Sequence, residues 1–289
     1  MKPAPFAYHA PDTIGEVVGL LHDFGDEAKV LAGGQSLIPM LALRLTRFAH
    51  LVDVNRVSDL DGIEVSDGHL AIGAMTRQST VERSAVVPEV APLLARAVGL
   101  IGHFQIRNRG TVGGSLAHAD PAAELPCVAL ALDAELEVTG PAGTRRIPAG
   151  EFFTGTWETS LAPEDLLVRA WFPTRVPRSG FAFEEIARRL GDFGLAGAAV
   201  AVTLTADGMV ASAAIGLLGM GPTPLRATAA EHALVGTAGD AATVAEVGRL
   251  AAEGSDPPAD VHASRAYRLH AGAYLVSRAV GSALEEARH

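Results

Sequence analysis

The chain has 289 residues, with 23 lysines and arginines against 33 aspartates and glutamates, a net charge of −10. That length suffices for about two domains. The acidic excess argues against nucleic acid or an anionic membrane as partner, since no basic run is longer than Arg145-Arg146 or Arg188-Arg189. A single cysteine, Cys127, excludes an intrachain disulfide and any iron–sulfur or zinc site built from this chain's own thiolates alone. Met1 to Phe6 lacks the apolar core of a secretion signal, and apolar stretches such as Leu195–Val202 and Val210–Met220 are too short to cross a bilayer. A soluble cytoplasmic protein is expected.

In chain order, Thr13 three positions before Glu16, ahead of Val17, Leu20, Leu21 and Phe24, predicts a capped amphipathic helix that stops at Gly25. Val30-Leu31-Ala32 reads as a short buried strand, Gly33-Gly34-Gln35-Ser36 as a loop and Leu37 to Leu45 as a helix. Leu51 to Val54 is a second strand, and Ser66-Asp67-Gly68 turns a hairpin between 62–65 and 69–72. Helical periodicity runs from Pro88 to Gly102, and a helix is predicted from about Asp120 to Leu132. A second hairpin turns at 140–143, and Asp165 to Phe172 reads as a strand. Two prolines between Pro173 and Ser179 mark the best boundary, giving domains of 1–176 and 177–289. Beyond it lie three strands (181–188, 195–205, 209–218) and three helices (near 226–235, 240–253 and 262–286), an α+β arrangement.

Glycine accounts for 31 residues, above the average share of about 7%. Two doublets, Gly33-Gly34 and Gly113-Gly114, each lead to a serine (Ser36, Ser115) and an apolar segment. Consecutive glycines let successive backbone amides converge on phosphate oxygens, helped by the next helix and by the hydroxyls of Ser36, Thr111 and Ser115. On pattern alone, tight structural turns in a glycine-rich chain are the leading reading. Neither loop is a G-x-G-x-x-G fingerprint and no G-x-x-x-x-G-K-[ST] loop occurs, which disfavours a Rossmann domain.

Three ordered motifs carry a resemblance: Ala32-Gly33-Gly34-Gln35-Ser36-Leu37-Ile38-Pro39; Ile106 to Ser115 with Ala119-Asp120-Pro121; and Arg188-Arg189-Leu190-Gly191-Asp192-Phe193. Over its whole length the chain resembles the FAD-binding medium subunit of molybdenum hydroxylases, the group of aerobic carbon monoxide dehydrogenase and xanthine dehydrogenase. The resemblance implies a two-part, non-Rossmann FAD-binding domain of the PCMH type, then a C-terminal domain with a three-stranded antiparallel sheet and a three-helix bundle. It implies that Lys29, Val30, Leu31, Ala32, Gly33, Gly34, Gln35 and Ser36, with Thr111, Val112, Gly113, Gly114 and Ser115, grip the FAD pyrophosphate through amides and hydroxyls. Ile101 would pack on the cofactor, Glu124 would bond to its adenosine or ribityl part, and Leu161 would approach the flavin. Glu184 stands where some relatives have lysine, and Phe193 where some have tyrosine beside the ring. Gln35 occupies the place of a histidine that tethers flavin covalently in some flavoproteins, so the FAD is expected to be noncovalent. Iron–sulfur clusters on a small subunit and a molybdenum cofactor on a large molybdopterin subunit are implied, in a dimer of heterotrimers.

No catalytic acid–base group and no metal ligand is assigned to this chain. His118, Asp120 and Glu124 read as a loop entering a helix, with Asp120 as cap and Pro121 at the first position. Neither H-E-x-x-H nor G-x-S-x-G occurs. Cys127 reads as a buried hydrophobe, and Trp157 and Trp171 as core or interface anchors. Competing readings are a self-sufficient FAD-dependent oxidase or dehydrogenase with its own organic substrate, and a nucleotide-binding module without redox chemistry.

Overall fold

The computed structural model describes residues 2–289. The helix Ile14–Phe24 begins as its sequence dictates: Thr13 Oγ1 accepts from the Glu16 amide, Glu16 reaches back to the Thr13 amide, and Gly25 ends the helix at φ +48°. Its buried face, Val17 and Leu21, lies on a parallel sheet in which His50–Asp53 is central, between Ala7–His9 and Ala28–Leu31. The first of these strands carries no signal in the sequence. From Ala28–Leu31 the chain turns through 32–36 into the helix Leu37–Leu43.

A five-stranded antiparallel sheet follows, ordered Ile63–Ser66, His69–Gly73, Leu166–Pro173, Glu135–Gly140, Gly143–Pro148. The strand Leu166–Pro173 returns from far along the chain to sit between the two hairpins. Helices Pro92–Val98, Val112–His118 and Glu124–Ala131 share its core, which includes Leu93, Leu94, Leu116, Leu125 and Phe172. The helical run predicted from Pro88 is two helices, Val87–Val90 and Pro92–Val98, broken at Ala91 because the residue before a proline is pushed out of the helical region.

The remaining sheet is antiparallel and four-stranded: Ser179–Ile186, Ala196–Leu204, Val210–Leu218 and a two-residue fourth strand, Leu225–Arg226, where three strands are predicted. Helices Thr228–Leu234, Ala241–Glu253 and Arg265–Arg288 cover one face. The last buries Ala271, Ala279, Ala283 and Ala287 and approaches so closely that a Cβ on Gly180 would strike the Ala283 carbonyl. The other face joins the first core: Phe181, Ala199 and Leu218 pack into the same cluster as Leu116 and Leu125. No described helix is long and apolar enough to cross a membrane.

Candidate cofactor site

The loop between strand Ala28–Leu31 and helix Leu37–Leu43 has its carbonyls occupied and its amides free. Ala32 O accepts from Asn55 Nδ2 (3.0 Å), Gly33 O from Gln35 Nε2 (3.2 Å), Gly34 O from the Ile38 amide (3.1 Å) and Ser36 O from the Met40 amide (3.1 Å). Among the described residues, no protein group accepts from the amides of Gly33, Gly34, Gln35 or Ser36. A run of unengaged amides on one turn is an anion-binding concavity. Gly34 supplies the bend at φ +73°. Gly33 is required for a different reason, since a Cβ there would run into the carbonyl oxygen of Arg109. The first loop therefore lies directly against the second.

The second loop is built the opposite way. Segment 74–78 is laced to it: the Gln78 amide donates to Gly110 O (2.9 Å), the Val112 amide to Thr76 O (3.0 Å) and the Gly113 amide to Ala74 O (2.8 Å). The Gly114 amide donates to Thr111 Oγ1 (3.0 Å), capping helix Val112–His118, and the Ser115 amide to Thr111 O (3.2 Å). The expectation that the amides of Gly113 and Gly114 face phosphate is thereby corrected. Both point into the protein, and both glycines are needed for closeness: a Cβ on Gly113 would lie 2.7 Å from Ala74 Cα, and one on Gly114 would lie 2.6 Å from Thr111 Oγ1. The Thr111 amide, the Thr111 hydroxyl proton and the Ser115 hydroxyl stay unengaged among the described residues. Both following helices have seven residues, so the loops and not long helix dipoles supply the donors.

Other predicted residues take distinct positions. Val30 and Leu31 are half-buried in their strand, and exposed Lys29 holds its Nζ 5.8 Å from the Phe48 ring centroid. Ile101 is buried, and its carbonyl accepts from Arg107 Nη1 (2.9 Å), while the same guanidinium pairs with both oxygens of Glu82 (2.8 Å each). Half-buried Leu161 packs against the first core. Phe193 is 59% exposed on the loop 187–195, which docks beside Ile101: a Cβ on Gly191 would meet the His103 ring at 2.6 Å and the Gly102 carbonyl carbon at 3.0 Å.

Glu124 is 5% exposed, and burial, with the nearby Glu185 and Asp120, pushes its carboxyl up to about 8. Burial raises Glu185 to about 7, and its Oε2 is enclosed without a partner. Glu184 faces the other way: its Oε1 lies 3.2 Å from Arg278 Nε on helix Arg265–Arg288. The alternation along Ser179–Ile186 explains this, because Phe181 and Phe183 pack toward the first core and Ala182 and Ile186 toward the C-terminal helices. The glutamate turned toward Glu124 is thus Glu185, a residue that no sequence motif singles out.

The helix predicted from Asp120 begins at Glu124 with Ala123 as its N-cap. Asp120 instead fastens a turn, accepting from the Ala122 amide (2.9 Å) and from the Trp157 indole (3.1 Å). Trp157 sits at φ +61° with its ring parallel to that of His118, centroids 6.4 Å apart. Trp171 is half-buried, bonded to Glu137 (2.9 Å) under the Arg146 guanidinium. Two surface clefts, one lined by Pro3–Pro5 and Arg44–Arg47 and the other around Val90, Arg175 and Arg226, include no predicted site residue. Of the donors, Gly33 and Thr111 are buried, and Gly34, Gln35, Ser36 and Ser115 are half-buried.

The free amides of 33–36 suit an anionic group such as a diphosphate, and the enclosed Oε2 of Glu185 is a further polar atom without a partner. Comparison with known proteins identifies that ligand class. Residues 4–175 match the family described as the FAD binding domain in molybdopterin dehydrogenase, and 181–283 match the CO dehydrogenase flavoprotein C-terminal domain. The chain is 43% identical over 288 residues to subunit alpha of the 6-hydroxypseudooxynicotine dehydrogenase complex of Paenarthrobacter nicotinovorans, covering 100% of this chain and 97% of that one. It is 37% identical to the carbon monoxide dehydrogenase medium chain of Hydrogenophaga pseudoflava over 98% of each. The solved carbon monoxide dehydrogenase of that organism matches with TM-score 0.97 at 39% identity over 99% of both chains. Quinoline 2-oxidoreductase of Pseudomonas putida 86 matches with TM-score 0.94 at 37% identity over 100% of both. These likenesses favour the subunit reading over a self-sufficient oxidase. The chain belongs to the FAD-binding medium subunits of the molybdenum hydroxylases, oxidoreductase complexes of the carbon monoxide dehydrogenase and xanthine dehydrogenase group.

Proposed function

We propose that this chain is the electron-transferring FAD subunit of its complex and holds the cofactor across the two glycine loops. The observation that carries this placement is the row of unengaged amides from Gly33 to Ser36. These amides, with the hydroxyls of Ser36, Thr111 and Ser115, suit the oxygens of a pyrophosphate. Lys29 to Ala32 lead the backbone to that point, Val112 and Gly113 hold the second loop against 74–78, and Gly114 closes its cap on Thr111. Ile101, Leu161 and Phe193 provide apolar contact for the flavin. Glu124 and Glu185 serve its polar portion, since a carboxyl held neutral donates as well as accepts. Glu184, engaged with Arg278, is left out of the contact set. Gln35 has no imidazole for a covalent link, so FAD is held noncovalently.

When bound, FAD takes electrons singly and releases a pair to an acceptor. The chain's own residues bind and orient it. The iron–sulfur clusters that deliver electrons belong to a small partner subunit, in keeping with one cysteine here, and the molybdenum cofactor to a large molybdopterin subunit. The complex is a cytoplasmic dimer of heterotrimers. The chain divides at 176 into a PCMH-type FAD-binding domain and a C-terminal domain.

The test is spectroscopic. The purified chain incubated with FAD is expected to show flavin absorption bands at one equivalent and to co-purify with iron–sulfur and molybdenum proteins. A chain that stays colourless overturns the cofactor placement. One that oxidises an organic substrate without a molybdenum partner overturns the subunit reading.

A further inference from the structure

A chain of side-chain bonds joins the two loops from behind. Asn55, just past strand His50–Asp53, donates from Nδ2 to the carbonyl of Ala32 (3.0 Å). Its Oδ1 accepts from Arg77 Nη2 (2.6 Å), and Arg77 Nη1 donates to the carbonyl of Arg109. That carbonyl is the atom on which Gly33 packs. One unbroken path therefore runs from the first loop, through Asn55 and Arg77, to the second, and ends where the loops touch.

Each end of this path is fixed. Asp53 accepts from the Asn55 amide (2.9 Å) and from Tyr8 Oη (2.6 Å), which orients the asparagine. Arg77 lies in the segment laced to the second loop, between the bonds Val112 N to Thr76 O and Gln78 N to Gly110 O. Burial and the neighbouring Arg109 charge pull the pKa of Arg77 down against the opposing pull of Asp61 and Asp53, and among the described residues no carboxylate is hydrogen-bonded to it. Its bonds instead reach two neutral acceptors on different segments, a geometry that a guanidinium fork satisfies and an ammonium does not.

We infer that Arg77 and Asn55 are positioning residues for FAD, setting the width between the amides of 33–36 and the hydroxyls of Thr111 and Ser115. The inference rests on the FAD placement proposed above. A pyrophosphate must reach donors on both loops at about 2.7–3.2 Å, so a small widening releases one side. Arg77 touches no cofactor atom in this account and acts through the Arg109 carbonyl and Asn55.

The test uses the full chain as wild type, Arg77→Ala, Arg77→Lys, Asn55→Ala and the double alanine variant, titrated with FAD and separately with ADP. Each alanine variant is expected to weaken both ligands about tenfold or more. The double variant should be little worse than the poorer single, because both interrupt one path. Arg77→Lys should recover only part of the affinity. Melting temperatures of the cofactor-free variants should stay within a few degrees of wild type, and if Arg77→Ala does not fold, Asn55→Ala breaks the same path from its other end. Wild-type affinity in the alanine variants, effects that simply multiply, full rescue by lysine or a loss confined to FAD and absent for ADP each overturn the inference. A wild-type chain that binds neither ligand overturns the loop placement itself and this inference with it.

Discussion

At Gly33-Gly34 the carbonyls turn into the protein and the amides turn out; at Gly113-Gly114 the amides turn in. The dipeptide is the same, and what differs is the neighbour. The second doublet runs beside 74–78, where the Ala74 carbonyl takes the Gly113 amide, and the Thr111 hydroxyl takes the Gly114 amide, while the first has only Asn55, Gln35 and its own helix, all of which bind carbonyls. Absence of a side chain has two separable uses, freeing donors and allowing close packing. Only the first is a binding function.

Substitutions should separate the two. Gly33→Val drives a side chain into the Arg109 carbonyl and pushes the loops apart. It should abolish FAD retention, read as loss of flavin absorbance, while far-UV circular dichroism stays near wild type; a yellow variant would mean that the loops do not meet across the cofactor. Gly113→Ala should do the reverse. Its Cβ meets Ala74 Cα at 2.7 Å, and overpacking of this kind costs about 1–3 kcal/mol in denaturant unfolding of the cofactor-free chain. Equal stability would show that the segment yields freely.

Thr111 gives a subtler contrast, because its hydroxyl both caps a helix and has a proton left over. Thr111→Val should cost about 1 kcal/mol of stability and weaken FAD, and Thr111→Ser should restore both; a valine variant with unchanged FAD affinity would remove the hydroxyl from the cofactor's donor set. The buried carboxyl of Glu124 is read by pH. Glu124 is held protonated up to about 8, against 4.5 when free. In the cofactor-free chain its contribution to stability is complete below about 4.5 and is lost as pH rises toward about 8. Glu124→Gln should flatten the fall of melting temperature across that window, whereas a slope identical to wild type would place the titrating group elsewhere. The smallest effect concerns Gln35. Acid precipitation of the holoprotein should leave the flavin in the supernatant, and flavin carried down with the protein would reveal a covalent link.

Much of the fold was legible where the signal is local. The Thr13–Glu16 capping box, the Ser66-Asp67-Gly68 turn and the strand patterns after 179 all sit inside short windows, and the structure follows them. Ala7–His9 and Leu225–Arg226 were not legible, because strands of three and two residues owe their existence to partners distant in sequence. Asp120-Pro121 carries a sound helix-start signal, yet tertiary bonds to Ala122 and Trp157 draw Asp120 into a turn. In the site, glycine doublets and hydroxyls are visible as motifs, but the direction of an amide is not. Glu184 and Glu185 differ by one position on a strand, and a one-residue step selects the opposite face. Asn55 and Arg77 belong to no motif, since their roles come from a meeting of segments more than twenty positions apart.

Cys127 lies on the helix Glu124–Ala131 with no exposed surface, beside Ala199 and Gly216 of the C-terminal sheet. Burial pushes its thiol up, so the native protein should be inert to alkylation. Fraying of a loop does not uncover it; the helix and the sheet have to part. The lone sulfur is therefore a built-in clock for separation of the two halves of the molecule, and its labelling rate, with and without FAD, measures how far a cofactor gripped at the loops holds the distant sheet in place.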